Sequence, residues 1–180
     1  MGASGVDIVA MRAYPFNYHA RQALRLARVE AAKLGDTAVE PRHIVLGLIR
    51  EGESAALPYL TRSFADLEVL CRKLEQAGAN GRQGASANPE SLPYSPGAQR
   101  VLDRAITEAR RLDQAAVGGV HLLLGALPAR RHALYDVLRR FKRRSPSNVA
   151  AMALLAGGLR FEWLRADLAR ITADLPLDSW

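Results

Sequence analysis

Four histidines and one cysteine are the side chains of this 180-residue sequence best suited to metal binding or proton transfer. His43 and His121 each open an apolar run, which favours a structural role at a helix start. His19 and His132 have no cysteine or acidic partner at the sequence spacing of metal ligands, so we expect no metal site. Cys71 cannot form an internal disulfide, and its apolar, helix-periodic surroundings predict that it is buried.

The acidic residues and the nucleophiles form no recognisable catalytic pattern. Glu51 and Glu53 lie at a Gly-containing turn, and Asp66 and Glu68 face solvent by helical spacing, so all four are expected to be surface charges. The sequence has no G-x-S-x-G nucleophile elbow and no G-x-x-x-x-G-K-[ST] phosphate loop. We therefore expect a protein that is not an enzyme, has no cofactor and does not hydrolyse ATP by itself.

The composition favours a helical protein with a basic surface. Apolar residues make up 49% and aromatic residues 6% of the chain, and the abundant Ala, Leu and Arg favour helices. The net charge of +7 makes nucleic acid or an acidic protein surface a plausible partner. Residues 1–16 do not resemble a signal peptide, and the apolar run 149–159 is shorter than the ~20 residues of a membrane span. We predict one cytoplasmic all-α domain that does not bind a membrane.

An internal repeat organises these elements, because a displacement of 78 residues places one half of the sequence on the other. Each half begins with a long amphipathic helix, for which Asn17 and Ser95 are the predicted N-caps. The first repeat covers about 16–77, a Gly-, Asn- and Ser-rich linker covers 78–92, and the second repeat covers about 94–173. The matched residues include Phe16 with Tyr94, Ala27 with Ala105, Glu30 with Glu108, Val39 with Val117, His43 with His121 and Gly47 with Gly125.

The second repeat carries an insert at 129–147 that the first repeat lacks. Its apolar residues recur at helical spacing, which predicts a basic amphipathic helix. A solvated charged face, docking of a protein partner and binding of nucleic acid through the 130–144 helix are the three interpretations, in decreasing order. The basic residues concerned are Arg130, Arg131, Arg139, Arg140, Lys142, Arg143 and Arg144.

The repeated motifs resemble the N-terminal domain of Clp-type AAA+ unfoldases, particularly the ClpC branch. The motifs are AxxALxLARxEAxxLG at 20–35, HIVLGLIREGES at 43–54, YSPGAQRVL at 94–102, EARRL at 108–112 and HLLLGAL at 121–127. The resemblance implies two pseudo-symmetric four-helix repeats, here with the extra basic helix in the second. It also implies a recognition module that receives adaptors and substrates for an ATP-driven ring, and the absence of the motor motifs predicts a free-standing module.

The sequence departs from this family at the residues that the resemblance connects with ligand binding. In ClpC-type domains a Gly-Thr-Glu-His stretch supplies a glutamate that helps to hold phosphorylated arginine. The equivalent positions here are Arg42 and Val120. Because an arginine repels a guanidinium that a carboxylate would attract, phosphoarginine capture by that mechanism is not expected. Asn17, Tyr94 and Ser95, at the helix starts of the same pockets, remain candidates for contacting another polar ligand.

These observations predict a non-catalytic protein-binding module of the Clp chaperone and protease system. The expected partners are adaptors, substrates, peptide-like ligands or the Clp unfoldase and protease subunits themselves. The alternative is a basic protein associated with nucleic acid through the 130–144 helix.

Overall fold

The computed structural model describes residues 15–64, 66–77, 88–127 and 161–174. Over these residues the fold is all-helical, with two isolated β-bridges and no β-strand, which confirms the predicted class. The elements are α1 (Tyr18–Lys33), α2 (Pro41–Glu51), α3 (Leu57–Ser63), α4 (Leu67–Gln76), a 3₁₀ helix (Pro89–Ser91), α5 (Pro96–Arg111), α6 (Gly119–Ala126) and α7 (Phe161–Asp174).

The two long helices begin at the predicted caps. The side-chain oxygen of Asn17 accepts a hydrogen bond from the backbone N–H of Ala20 at 2.9 Å. Ser95 Oγ accepts the equivalent bond from the backbone N–H of Ala98 at 3.2 Å. Each cap satisfies one of the backbone donors that the first turn of a helix leaves without a partner. After α1 the chain turns away at Gly35, whose φ of 71° is a conformation that glycine adopts without steric cost.

Two short bridges join the repeats reciprocally. Phe16 pairs in parallel with Val117, and Val39 pairs in parallel with Tyr94. The segment that precedes each long helix is therefore held by the loop that precedes the second helix of the other repeat. The backbone hydrogen bonds between the repeats include those from the N–H of Asn17 to the oxygen of Val117 at 2.9 Å and from the N–H of Ser95 to the oxygen of Val39 at 3.0 Å. The fold thus obeys the same internal symmetry as the sequence.

The repeated glycines allow the two helices of each repeat to touch. A Cβ placed on Gly47 of α2 would lie 2.1 Å from the backbone oxygen of Ala23 in α1. A Cβ on Gly125 of α6 would lie 2.2 Å from the backbone oxygen of Val101 in α5. These distances are far below van der Waals contact, so only glycine fits where α2 crosses α1 and α6 crosses α5.

The hydrophobic core lies around α2 and α6, which contact each other across the repeats. Every residue of α6 is buried, and so are the residues of α2 from its start to Leu48. In α4 the thiol-bearing Cys71 is 2% exposed, as predicted, and burial raises its pKa. Helix α7 joins the core through Leu164, which is 2% exposed. Arg165 of α7 also lies 3.0 Å from the buried carboxylate of Glu108 in α5.

A turn at Ser54 precedes helix α3, which begins at Leu57. The Ser54 hydroxyl accepts from the N–H of Ala56 at 3.2 Å, and its carbonyl accepts from the N–H of Leu57 at 2.9 Å. Serine side chains that bond nearby backbone favour such turns over helix.

Candidate functional site

Arg42 is buried inside the first repeat, with 1% of its surface exposed. Its Nη1 donates to the backbone oxygens of Leu74 at 3.1 Å and of Glu75 at 3.3 Å, at the end of α4. Its Nη2 is paired with the carboxylate of Asp36. The guanidinium therefore has internal partners and ties the start of α2 to the end of α4, so it is not presented to a ligand at the surface.

His43 completes this buried network. Its Nε2 lies 3.0 Å from the Asp36 carboxylate, and its Nδ1 accepts a hydrogen bond from the N–H of Glu40 at 2.9 Å. Burial lowers the pKa of His43, while the hydrogen bond to Asp36 acts in the opposite direction. The ring closes the first turn of α2, which confirms the structural role expected for this histidine.

The second repeat has an apolar residue at the same point. Val120 is 3% exposed and packs in the core. His121 repeats the helix-start bond, since its Nδ1 accepts from the N–H of Gly118 at 2.9 Å. Its Nε2 is buried and has no hydrogen-bond partner in the described part of the chain. Burial lowers the pKa of His121 to about 4, so the ring is neutral at pH 7.

The remaining predicted ligand residues also face inward or serve as caps. Besides capping α5, Ser95 Oγ donates to a carboxylate oxygen of Glu40 at 3.0 Å and so joins the starts of α5 and α2. Tyr94 is 8% exposed and its hydroxyl is buried, which raises its pKa. Asn17 lies at the other bridge, beside Gly118. The five predicted residues thus do not converge on one open pocket.

An open cavity of about 480 Å³ lies instead between α1 and the 3₁₀ helix. The guanidinium of Arg28 stacks over the ring of Tyr94, 4.6 Å from its centroid, which orients it by a cation–π contact. Neither Arg25 nor Arg28 forms an ion pair within the described residues. The lining residues are Arg25, Arg28, Val29, Asn88, Pro89 and Glu90.

Sequence reasoning had identified Tyr94 but missed the two arginines. Their spacing of three residues on a helix places them on one face, and this was the available signal. The opposite wall is formed by a short 3₁₀ helix in a stretch whose composition predicts a linker, so no sequence pattern indicated it. The cavity offers two guanidiniums, one carboxylate from Glu90 and a small apolar lining, and its excess of positive charge suits a carboxylate-bearing peptide segment.

A family model described as the Clp repeat (R) N-terminal domain matches residues 15–141. That range contains both long helices and both reciprocal bridges. The chain belongs to the Clp repeat N-terminal domain family. The sequence resemblance is therefore confirmed, and so is the Clp N-terminal fold that it implied.

The curated relatives that the chain matches include ClpC proteins of a bacterium and of a plant. The chain is 33% identical over 112 residues to the "Negative regulator of genetic competence ClpC/MecB" of Bacillus subtilis, and this match covers 62% of the chain and 13% of the relative. It is 34% identical, also over 112 residues, to "Chaperone protein ClpC1, chloroplastic" of Arabidopsis thaliana, of which it covers 12%. The chain thus matches only about an eighth of these relatives' length.

Solved Clp N-terminal domains share the fold at low sequence identity. The N-terminal domain of ClpD from Arabidopsis thaliana is 20% identical, with a TM-score of 0.53 and coverage of 88% of this chain and 97% of that one. The Hsp104 N-terminal domain from Candida albicans is 15% identical, with a TM-score of 0.59 and coverage of 91% and 95%. At these identities the likeness establishes the fold alone.

The predicted basic insert at 129–147 lies outside the described residues, and so does most of the linker, at 78–87. Docking or nucleic-acid binding by the seven basic residues of the insert therefore stays a prediction. Among the helices that are described, none is long and apolar enough to cross a membrane.

The expectation that Glu51 is a surface charge was wrong. The Nδ1 of His19 lies 2.6 Å from a carboxylate oxygen of Glu51, a partner 32 residues away that the spacing of metal ligands in a sequence does not indicate. The Glu51 side chain is 5% exposed and is not a surface charge. Packing of α1 on α2 brings the start of one helix to the end of the other, and sequence spacing cannot reveal this contact.

Proposed function

We propose that this chain is a non-catalytic protein-binding module of the Clp chaperone and protease system, and that its cavity between α1 and the 3₁₀ helix binds an acidic segment of a partner protein. The observation that carries the proposal is the pair of guanidiniums, Arg25 and Arg28, in an open cavity of a Clp N-terminal domain. The partner is an adaptor, a degradation substrate or a subunit of a Clp unfoldase or protease.

The chemistry of the cavity supports an acidic rather than a phosphoarginine ligand. Arg25 is exposed and carries a charge with no ion-pair partner in the described residues. Arg28 is held in place by Tyr94, so it loses little side-chain freedom when a carboxylate binds. Arg42 and Val120 stand where the family resemblance implies carboxylates that attract a guanidinium, and both are buried.

The test is an affinity pull-down from the native host with the full chain, comparing wild type with Arg25→Glu. Arg25 is exposed, so the change reverses one charge of the cavity without disturbing the core. Arg104→Glu is the matched control, because Arg104 is an exposed arginine of α5 and does not line the cavity. We expect Clp subunits, adaptors or substrates with wild type and with the control, and their loss with Arg25→Glu.

Equal recovery of these partner proteins by wild type, Arg25→Glu and Arg104→Glu would show that the cavity is not their binding site. Recovery of nucleic acid alone, released at high salt, would contradict the protein-binding function and favour the basic insert. Reversal of Arg139, Arg140, Arg143 and Arg144 to Glu would then abolish that binding.

A further inference from the structure

A histidine and two glutamates meet where the start of α1 approaches the end of α2. One ligand atom from each of His19, Glu51 and Glu53 lies within 4.8 Å of the other two. Glu51 is the inner member of the cluster, while His19 is partly exposed and Glu53 is exposed. This cluster lies outside the cavity lined by Arg25 and Arg28.

The inner carboxylate is already oriented by the backbone. One oxygen of Glu51 accepts hydrogen bonds from the N–H groups of Ser54 at 2.6 Å and of Glu53 at 3.1 Å. The other oxygen faces His19 at 2.6 Å. Hydrogen bonds that fix a ligating carboxylate in this way are a recurrent feature of metal sites.

The cluster also carries more negative than positive charge. Glu51 and Glu53 are close together, and no lysine or arginine of the described residues forms an ion pair with either. Two carboxylates at this separation repel each other, and a divalent cation between them would remove the repulsion. In a chain of net charge +7, this arrangement is not explained by a shortage of basic residues.

The internal repeat shows that the fold does not require this cluster. The position equivalent to His19 in the second repeat is Gly97, which begins α5 equally well. A histidine that served only to build the helix start would be expected in both repeats.

We propose that His19, Glu51 and Glu53 form a binding site for a divalent transition-metal ion of the zinc type. An imidazole nitrogen with two carboxylate oxygens is a ligand set that suits zinc, whereas Mg²⁺ and Ca²⁺ prefer oxygen alone. Three protein ligands leave a coordination position for water. The ion would join the start of α1 to the end of α2.

Isothermal titration of the full chain with ZnCl₂ tests this site, with Mg²⁺ as the comparison ion. We expect one zinc ion bound per chain, and binding weakened more than about tenfold in His19→Gln and in Glu53→Gln. Asp103→Asn, at an exposed carboxylate of α5, and His132→Gln, at another histidine, are the controls and keep wild-type affinity.

Zinc should also raise the melting temperature of wild type and of both controls, but not that of the two site variants. Glu53 is exposed, so Glu53→Gln without metal should melt at the wild-type temperature and separate loss of binding from loss of folding. Absence of zinc binding by wild type, or binding that persists in His19→Gln and Glu53→Gln, would overturn the proposal.

Discussion

The two repeats share one scaffold but differ in what fills its centre. In the first repeat, Arg42 links Asp36 to two backbone carbonyls in a buried polar network. In the second repeat the same position holds Val120, and the neighbouring His121 has a buried ring nitrogen without a partner in the described residues. The comparison shows that helix crossings and caps are needed twice, whereas the polar interior is particular to one repeat.

The difference also determines which change destabilises each repeat. A buried ion pair is sensitive to loss of either partner, because the remaining charge is left without compensation. An apolar centre with a neutral histidine is instead sensitive to acid, because protonation places a charge in the core. Both repeats belong to one domain, so either disturbance should lower the stability of the whole domain.

Loss of Arg42, which removes the buried polar network of the first repeat, should have the largest effect on the free energy of unfolding. Arg42→Val makes the first repeat resemble the second but takes the guanidinium away from the Asp36 carboxylate and from two backbone carbonyls, which should lower the free energy of unfolding by about 3 kcal/mol. Urea denaturation monitored by circular dichroism measures this loss. Adding Asp36→Asn should restore part of the stability, with a coupling of about 1 kcal/mol or more. Strict additivity of the two changes would show that the pair is not coupled.

Substitution of the repeated glycines tests whether the helix crossings of the two repeats are equivalent. Gly47→Ala and Gly125→Ala each force a Cβ against the backbone of the crossing helix, so each should cost about 2 kcal/mol in the same denaturation assay. Gly52→Ala is the control for backbone conformation alone, because Gly52 has a φ of 81° with open space around it. Its cost should be about 1 kcal/mol. Unequal costs for Gly47 and Gly125 would mean that the two crossings are not equivalent.

His121 in the second repeat should make the free energy of unfolding depend on pH, and this effect is smaller. An unfolded histidine binds a proton below about pH 6.5, whereas folded His121 does so only at about pH 4. Between these values the unfolded state holds more protons, so stability falls as pH falls, by at most about 1.4 kcal/mol per pH unit for this residue.

The variant His121→Gln should reduce that slope in denaturation series between pH 7 and pH 5. The matched change His43→Gln should reduce it less, because the hydrogen bond that His43 donates to Asp36 opposes the lowering of the His43 pKa by burial. Equal slopes in wild type and His121→Gln would contradict the role assigned to His121.

The sequence was sufficient for the features that the repeat encodes locally. Asn17 and Ser95 were predicted as caps because a cap acts on backbone within a few residues. His43 and His121 were placed at helix starts for the same reason. The fold class followed from the helical periodicity and from the family resemblance.

Contacts between elements distant in the sequence were not predictable. Arg42 was expected to alter a ligand pocket, but it is buried because Asp36 and the end of α4 supply its partners. The meeting of His19 with Glu51 depends on how α1 crosses α2, and the cavity at Arg28 depends on the short 3₁₀ helix. Such contacts are set by packing geometry, which hydrophobic periodicity does not specify.

The reciprocal bridges have a consequence for synthesis of the chain. Phe16 pairs with Val117, a residue that leaves the ribosome only after the whole first repeat and the long helix α5 have been made. During translation the segment before α1 therefore stays unpaired until Val117 has been made, and a chaperone that binds nascent chains can act in this interval. The Phe16 bridge can form only after the loop before α6 has emerged, so truncation just before Val117 should leave the leading segment unpaired.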